Sequence, residues 1–322
     1  MTYFSVIIPV FNKEPHVKRA IESVLNQSID SFEIIIVCDP STDKSDEVVN
    51  NFKDSRIHVY NRNKPGPGGY AARNLGVKKS TFDWVVFLDA DDEWSPNHLE
   101  KLSCAISQNP NINIFSSSWI IRENGRETLD KYSKYNRKTD IVILSVYEYL
   151  LNEVCGKRPI WTSVACIKKQ ILMSAGLFPE GRSSMGGDID TWLRCVFFSK
   201  YMVWINNLSA IYHRDSVNMV TKNSYIDPLI HRETTDKLLH FIKDKKVNIL
   251  LKKRLNKIII TAWNNNERLA QGNFDILDEI YVSVINLKAL FCVILSRLPV
   301  YYRCKVHKIM SYLSSSFRNL LN

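Results

Sequence analysis

No stretch of the 322-residue sequence is long and apolar enough to cross a bilayer. A spanning helix needs roughly 18 uninterrupted apolar residues, and the best stretch, Tyr281 to Leu298, is broken by Lys288 and Arg297. Basic residues are missing from Met1 to Val10. That segment reads as a strand, not as the basic start and apolar core of a secretory leader. Paired cysteines are missing too: the seven, at 38, 104, 155, 166, 195, 292 and 304, form no CxxC spacing. An odd, unpatterned set without an export signal is expected to be free thiols in a reducing cytosol, which excludes a disulfide scaffold. Repeats and low-complexity runs are absent as well. With 45% hydrophobic and 24% charged residues, the composition is that of a globular protein and excludes disordered and collagen-like classes. The length fits one large α/β domain, or one domain plus an appendage.

The charge is unevenly placed. The net charge is +10, but residues 222–322 hold 17 Lys/Arg against 8 Asp/Glu, so +9 of it lies there. A basic tail beside a neutral body points to an anionic surface, nucleic acid or acidic lipid, or else to a solvated helical face.

Strand and helix patterns alternate over the first 120 residues. Tyr3–Phe11 reads as a strand and Pro15–Gln27 as a helix, through Val17, Ala20, Ile21, Val24 and Leu25. Phe32–Cys38 is a continuous β-branched run, as expected of a strand buried on both faces. Ser41 or Thr42 is placed to cap a helix running to about Phe52. Arg56–Tyr60, Trp84–Leu88 and Asn111–Ser116 follow as strands, Tyr70–Lys79 as a helix, and Ser95-Pro96 as a helix start. Such alternation implies a largely parallel sheet covered on both faces. Ile120–Val154 is less regular. Ile160–Cys166 and Met202–Tyr212 read as strands, and Lys168–Ala175 and Asp188–Phe198 as helices. Beyond Asp227 the spacing is helical, interrupted near Gly272 and Pro299.

In open parallel sheets, ligands bind beyond the carboxyl ends of the strands. Those ends deliver Pro9, Val10, Phe11 and Asn12, then Asp39, then Asp89, Ala90, Asp91 and Asp92. Carboxylates crowded there repel one another. A divalent cation relieves this, and oxygen ligands completed by phosphates suit Mg²⁺ or Mn²⁺. Asp91 and Asp92 are equally well suited to be turn or cap residues before the Pro96 helix. Gly66, Gly68 and Ala71 imitate a dinucleotide fingerprint, but that motif belongs after the first strand and lacks an internal proline. The segment is better read as a loop leading into a helix whose first turn carries Arg73, a guanidinium for a base carbonyl or phosphate, or an ordinary surface arginine. Gly186-Gly187-Asp188-Ile189-Asp190 opens the Trp192 helix, with Asp188 either a helix cap or a general base.

Five segments recur together: Ser5–Asn12; Glu33–Val37 with Asp39 and Ser41–Asp43; Ala72–Gly76; Phe87–Asp92 with its DxD; and Gly176–Phe178 followed by Asp188–Arg194. In this order they resemble the family-2 glycosyltransferases of the bacterial surface-polysaccharide type, over roughly residues 3 to 220. The resemblance implies an α/β GT-A fold, the Rossmann-like, mostly parallel sheet of the nucleotide-diphospho-sugar transferases, with a C-terminal helical extension. Residues 1–221 would form the catalytic domain, about 1–120 on the nucleotide-sugar side and about 121–221 on the acceptor side, and 222–322 the basic helical region.

It also implies roles. Pro9, Phe11, Asn12 and Ala90 would line the nucleotide-sugar site, Asp39 would meet the uracil, Arg73 would support the nucleotide and Asp89 would hold the ribose. Asp91 would ligate Mn²⁺ or Mg²⁺, and Asp188 would deprotonate the acceptor hydroxyl, giving inversion. Three departures stand out. Gly187 replaces a common acidic residue, Pro40 replaces a glycine, and Tyr212-His213-Arg214-Asp215 reorders the family's Arg and His, so that His213 is either a further metal ligand or a packed histidine.

The expected partners are a nucleotide-sugar donor, usually a UDP-sugar, and a glycan or lipid-linked saccharide acceptor. The location implied is cytoplasmic, peripheral on the inner face of the cell membrane. Tyr281, Val282, Val284, Ile285, Leu290, Ile294 and Leu298, with Lys288, Arg297, Arg303, Lys305 and Lys308, give an apolar and basic segment. It suits an anionic bilayer or a lipid-diphosphate acceptor, or equally packing on the domain or in a homodimer. Nucleic acid is not expected, because the strand ends are acidic. A nucleotide- or glycan-binding module without turnover is the alternative, opposed by the intact Asp89, Asp91 and Asp188.

Overall fold

The computed structural model describes residues 2–217, 226–265, 279–286, 290, 292–294 and 297. The chain divides into two units, residues 1–224 and 225–322.

The β-branched runs of the first unit form its sheet. β1 (Phe4–Val10) pairs in parallel with β2 (Phe32–Cys38) and with β4 (Trp84–Phe87), and β2 pairs with β3 (Ile57–Asn61). All seven residues of β2 are buried, which is why they read as an unbroken hydrophobic run. Helices α1 (Glu14–Leu25), α2 (Ser45–Asn50) and α3 (Tyr70–Lys79) connect these strands. α1 turns Val17, Ala20, Ile21 and Val24 inward, the three-to-four spacing that gives a helix one apolar face. α3 lies so close to β1 that a Cβ on Gly76 would stand 2.5 Å from Ile7 Cγ2.

The later elements are β5 (Glu93–Trp94), α4 (His98–Gln108), β6 (Ile114–Glu123), β7 (Arg126–Leu129), α5 (Lys131–Tyr135), β8 (Ile141–Ser145), α6 (Val146–Cys155), β9 (Cys166–Lys168), α7 (Lys169–Ser174), α8 (Gly187–Ser199) and β10 (Tyr201–His213). The sheet order is β3-β2-β1-β4-β9-β6-β10-β5, with β7 added to β6 and β8 to β10. β9 is antiparallel to both β4 and β6, whereas β6 and β10 run parallel.

Three local expectations are corrected. α2 begins at Ser45, not after Ser41 or Thr42: Ser41 Oγ accepts the Asn12 amide, and Asp43 accepts that of Ser45. The Ser95-Pro96 helix starts at His98, because Trp94 pairs with Ala210 and the Ser95 amide donates to Ser209 O. The strand expected over Ile160–Cys166 shrinks to Cys166–Lys168, since Thr162–Val164 form a 3-10 turn.

In the second unit, α9 (Pro228–Phe241) starts with Pro228 after Asp227, whose carboxylate accepts the Leu229 amide. α10 (Lys245–Asn265) supplies Leu255, Ile259 and Trp263 to a core shared with Ile280 and Val293. Tyr281 and Ile285 pack on that core, whereas Val282, Leu290 and Ile294 are exposed. Tyr281 also holds Asp236 through its hydroxyl and Asn256 through its backbone. Gly272, Leu298, Pro299, Lys288, Arg303, Lys305 and Lys308 lie outside the described residues. Among the described residues no helix is long and apolar enough to cross a membrane, and the six described cysteines are free.

Candidate functional site

The carboxyl ends of β1, β2 and β4 open onto a cleft of about 590 Å³. Its walls include Pro9, Phe11, Asp39, Arg73, Asp89, Ala90, Asp91 and Asp188. Eight of the ten residues singled out in the sequence thus meet in one cavity. Asn12 and His213 are not among the lining residues.

Asn12 acts on the walls. It adopts φ 51°, the left-handed region that asparagine tolerates better than most residues. Its side-chain oxygen accepts the Thr42 amide at 2.7 Å and its own amide donates to Ser41. The end of β1 is thereby tied to the loop after β2. Phe11 projects beside it, 45% exposed.

Asp39 is buried, and its two carboxylate oxygens are both engaged. One accepts from the Arg62 guanidinium and the other from the Gly66 amide at 2.9 Å. Asp39 therefore joins the end of β2 to the segment after β3 and to the glycine turn. That turn is a 3-10 element at Pro67–Gly69, with both Gly68 and Gly69 at φ 68°. Arg73, in the first turn of α3, donates to Gly68 O at 2.8 Å and pairs with Asp89 at 2.5 Å. Burial pushes the Asp89 carboxyl upward; Arg73 pulls it back down and the Asp91 charge adds to the rise.

Asp91 and Asp92, adjacent in sequence, face different surroundings. The Asp91 carboxylate lines the cleft and takes the Lys13 ammonium at 2.6 Å, while Arg19 donates to its carbonyl. Lys13 also donates to Val217 O. Asp92 is 1% exposed and accepts from Ser163 Oγ at 2.7 Å and the His213 amide at 3.2 Å. Burial, then the Asp91 and Asp89 charges, raise its carboxyl well above the usual range. The His213 ring meets Glu93 Oε1 at 2.9 Å; burial lowers its pKa, and Glu93 opposes the shift.

Across the cleft, α8 begins at Gly187 with Gly186 as its cap residue at φ 82°. Asp188 therefore sits inside the first turn and is not the helix cap. Its carboxylate accepts from Thr162 Oγ1 at 3.3 Å. Asp190 points away into a buried pair with Arg194 at 2.8 Å. Trp161 and Tyr212, ring centroids 4.9 Å apart, form the neighbouring wall.

Among the described residues no group of three or more His, Cys, Asp and Glu side chains is arranged to hold a metal ion. The donor set fits another kind of site. Asp91 lines the cleft with its carboxylate beside Lys13, and Mg²⁺ is commonly held by one or two carboxylates with substrate phosphates completing the shell.

Lys13, Arg62, Tyr70, Trp161, Thr162 and Tyr212 were missed in the sequence. Lys13 and Arg62 carry a signal, since each follows a strand end at the edge where Asp39 and Asp91 lie. The other four arrive from elements whose neighbours only the sheet order decides.

Residues 5–159 match the family described as Glycosyl transferase family 2. An uncharacterized glycosyltransferase of Haemophilus influenzae is 38% identical over 287 residues, covering 84% of this chain and 89% of the relative. The chain belongs to glycosyl transferase family 2. Its sheet and surrounding helices have the GT-A fold, and the crystal structure of S. aureus TarS 1-349 in complex with UDP-GlcNAc superposes with a TM-score of 0.73 at 17% identity, covering 99% of this chain and 92% of that one. The minor teichoic acid biosynthesis protein GgaA of Bacillus subtilis is 28% identical over 221 residues, 65% of this chain and 45% of its own length. Other curated relatives are matched over less: the chain spans 18% of a Rickettsia bellii glycosyltransferase and 36% of an Escherichia coli one.

Proposed function

We propose that the chain transfers a sugar from a nucleotide-sugar, a UDP-sugar by preference, to a hydroxyl of a glycan or lipid-linked acceptor, with inversion at the anomeric carbon. The observation that carries this reading is the single cleft that sets Asp39, Arg73, Asp89 and Asp91 on one side and Asp188 across from them. The nucleoside lies against Pro9, Phe11, Ala90 and Asp39, with Asp89 at the ribose and Arg73 fixing Asp89. The acceptor enters beside Trp161, Tyr212 and Thr162. Asp188 takes the proton of the acceptor hydroxyl as its oxygen attacks the anomeric carbon. The bond from that carbon to the diphosphate oxygen breaks, and its electron pair leaves with the nucleoside diphosphate. One displacement from the face opposite the leaving group inverts the configuration.

Asp91 would hold Mn²⁺ or Mg²⁺, with His213 as a candidate further ligand; such an ion would neutralise charge on the leaving diphosphate. The cytoplasmic face of a membrane and a role in surface-polysaccharide synthesis are supported by the basic C-terminal region and by the similarity to GgaA.

Thermal unfolding with UDP, GDP, CDP and dTDP, each with Mn²⁺ or with EDTA, tests the reading. A ligand that binds only the folded state raises Tm by mass action. The expected result is a rise of several degrees with UDP and Mn²⁺ that EDTA abolishes. No rise with any nucleotide refutes it.

A further inference from the structure

The N-terminus of α8 has no cap of its own. The first amides of a helix lack intrahelical partners, and the residue that would ordinarily supply a capping side chain is Gly186. The partner comes instead from 117 residues away: the Tyr70 hydroxyl accepts the Gly187 amide at 2.8 Å. Tyr70 opens α3 directly after the glycine turn, is 3% exposed and lines the cleft. Its ring stacks on Phe178 at 5.9 Å.

Two glycines make room for this ring. A Cβ on Gly187 would lie 2.8 Å from Tyr70 Cε2 and 2.5 Å from Pro179 Cγ. A Cβ on Gly68 would lie 2.6 Å from Tyr70 Cε2, at a backbone φ of +68° that disfavours side chains anyway. The position before Asp188, acidic in much of the family by the resemblance above, therefore has no space for a side chain here. Burial, then the charge of Asp188, push the phenol upward, so the hydroxyl stays protonated and neutral beside the carboxylate.

We propose that Tyr70 is a positioning residue for Asp188: its hydroxyl caps α8 from outside, and its ring, held between Gly68 and Gly187, fixes the base against the donor-side glycine turn. The inference rests on the reading of Asp188 as the general base.

Tyr70→Phe keeps the ring and removes the cap. With UDP-GlcNAc as probe donor and water as acceptor, kcat for UDP release is expected to fall by about five- to tenfold, the worth of one capping bond. The affinity for UDP with Mn²⁺ is expected to stay within about twofold, since the cap is made to α8 and not to the nucleotide. Hydrogen exchange at the Gly187 amide, read by NMR or mass spectrometry, is expected to quicken in the variant independently of any turnover. Unchanged kcat, or unchanged exchange at Gly187, overturns the proposal. So does a parallel loss of UDP affinity and kcat, which would assign Tyr70 to donor binding instead. Asp188→Asn, assayed alongside, separates the two claims. Full turnover in that variant removes the base reading itself. Loss of turnover there, with Tyr70→Phe unaffected, removes only this inference.

Discussion

Two acidic segments border the cleft, and they are built differently. After β4, each carboxylate is answered: Asp89 by Arg73, Asp91 by Lys13, Asp92 by Ser163 and the His213 amide. At the start of α8, Asp190 is answered by Arg194, while Asp188 takes one hydroxyl, from Thr162. A carboxylate paired with a guanidinium or ammonium has its oxygens engaged by that cation. One that meets a single hydroxyl keeps lone pairs for a substrate. On the proposed reading, Asp89 and Asp91 grip the charged donor and Asp188 moves a proton, though residue type alone makes them look alike.

The sharpest way to break this contrast is Asp188→Asn. The expected outcome is a fall in kcat of about a thousandfold, within the range of general-base catalysis, with nucleotide affinity unchanged. A fall in affinity with kcat preserved would give Asp188 the same task as Asp89 and Asp91.

Asp190→Asn should separate the two members of the α8 pair. Removing one partner of a buried ion pair leaves the other charge uncompensated, so stability should drop by about 3 kcal/mol. Turnover of the molecules that remain folded should be near normal at low temperature. Urea unfolding and an assay in the cold read the two effects independently.

His98 is the opposite limit, a titratable group buried without a partner for either ring nitrogen. It is fully buried against Trp94, and burial lowers its pKa to about 3. Its folded pKa lies below its unfolded value of 6.5. The neutral ring's contribution is therefore complete above pH 6.5 and is lost as the pH falls toward 3, by up to about 1.4 kcal/mol per pH unit. His98→Met should flatten that part of the profile in denaturant midpoints measured from pH 7 to pH 4.

The fold was readable wherever a segment's environment follows from its own residues. The limits of β2 and α3 agree with the patterns of Phe32–Cys38 and Tyr70–Lys79, because a strand buried on both faces and a helix after a glycine turn carry their signals locally. Boundaries that depend on a distant partner were misjudged. β5 is two residues long and exists only because β10 runs beside it, which in turn displaces the start of α4. β9 is three residues long and antiparallel between β4 and β6, a pairing that Cys166–Lys168 does not announce.

The site divides the same way. Sequence alone determined which carboxylates gather beyond the strand ends, because a parallel sheet fixes which end of each strand faces the ligand. It also determined the family. Only the tertiary structure decided what each carboxylate can do. Asp91 and Asp92 are neighbours in the chain, yet one lines the cleft with Lys13 and the other is sealed against Ser163. Asp188 forms no ion pair among the described residues, while Tyr70, from the far side of the sheet's first half in sequence, caps its helix. A carboxylate's charge, reach and proton affinity are set by the atoms within a few ångströms of it, and those atoms come from elements that only the completed sheet brings together.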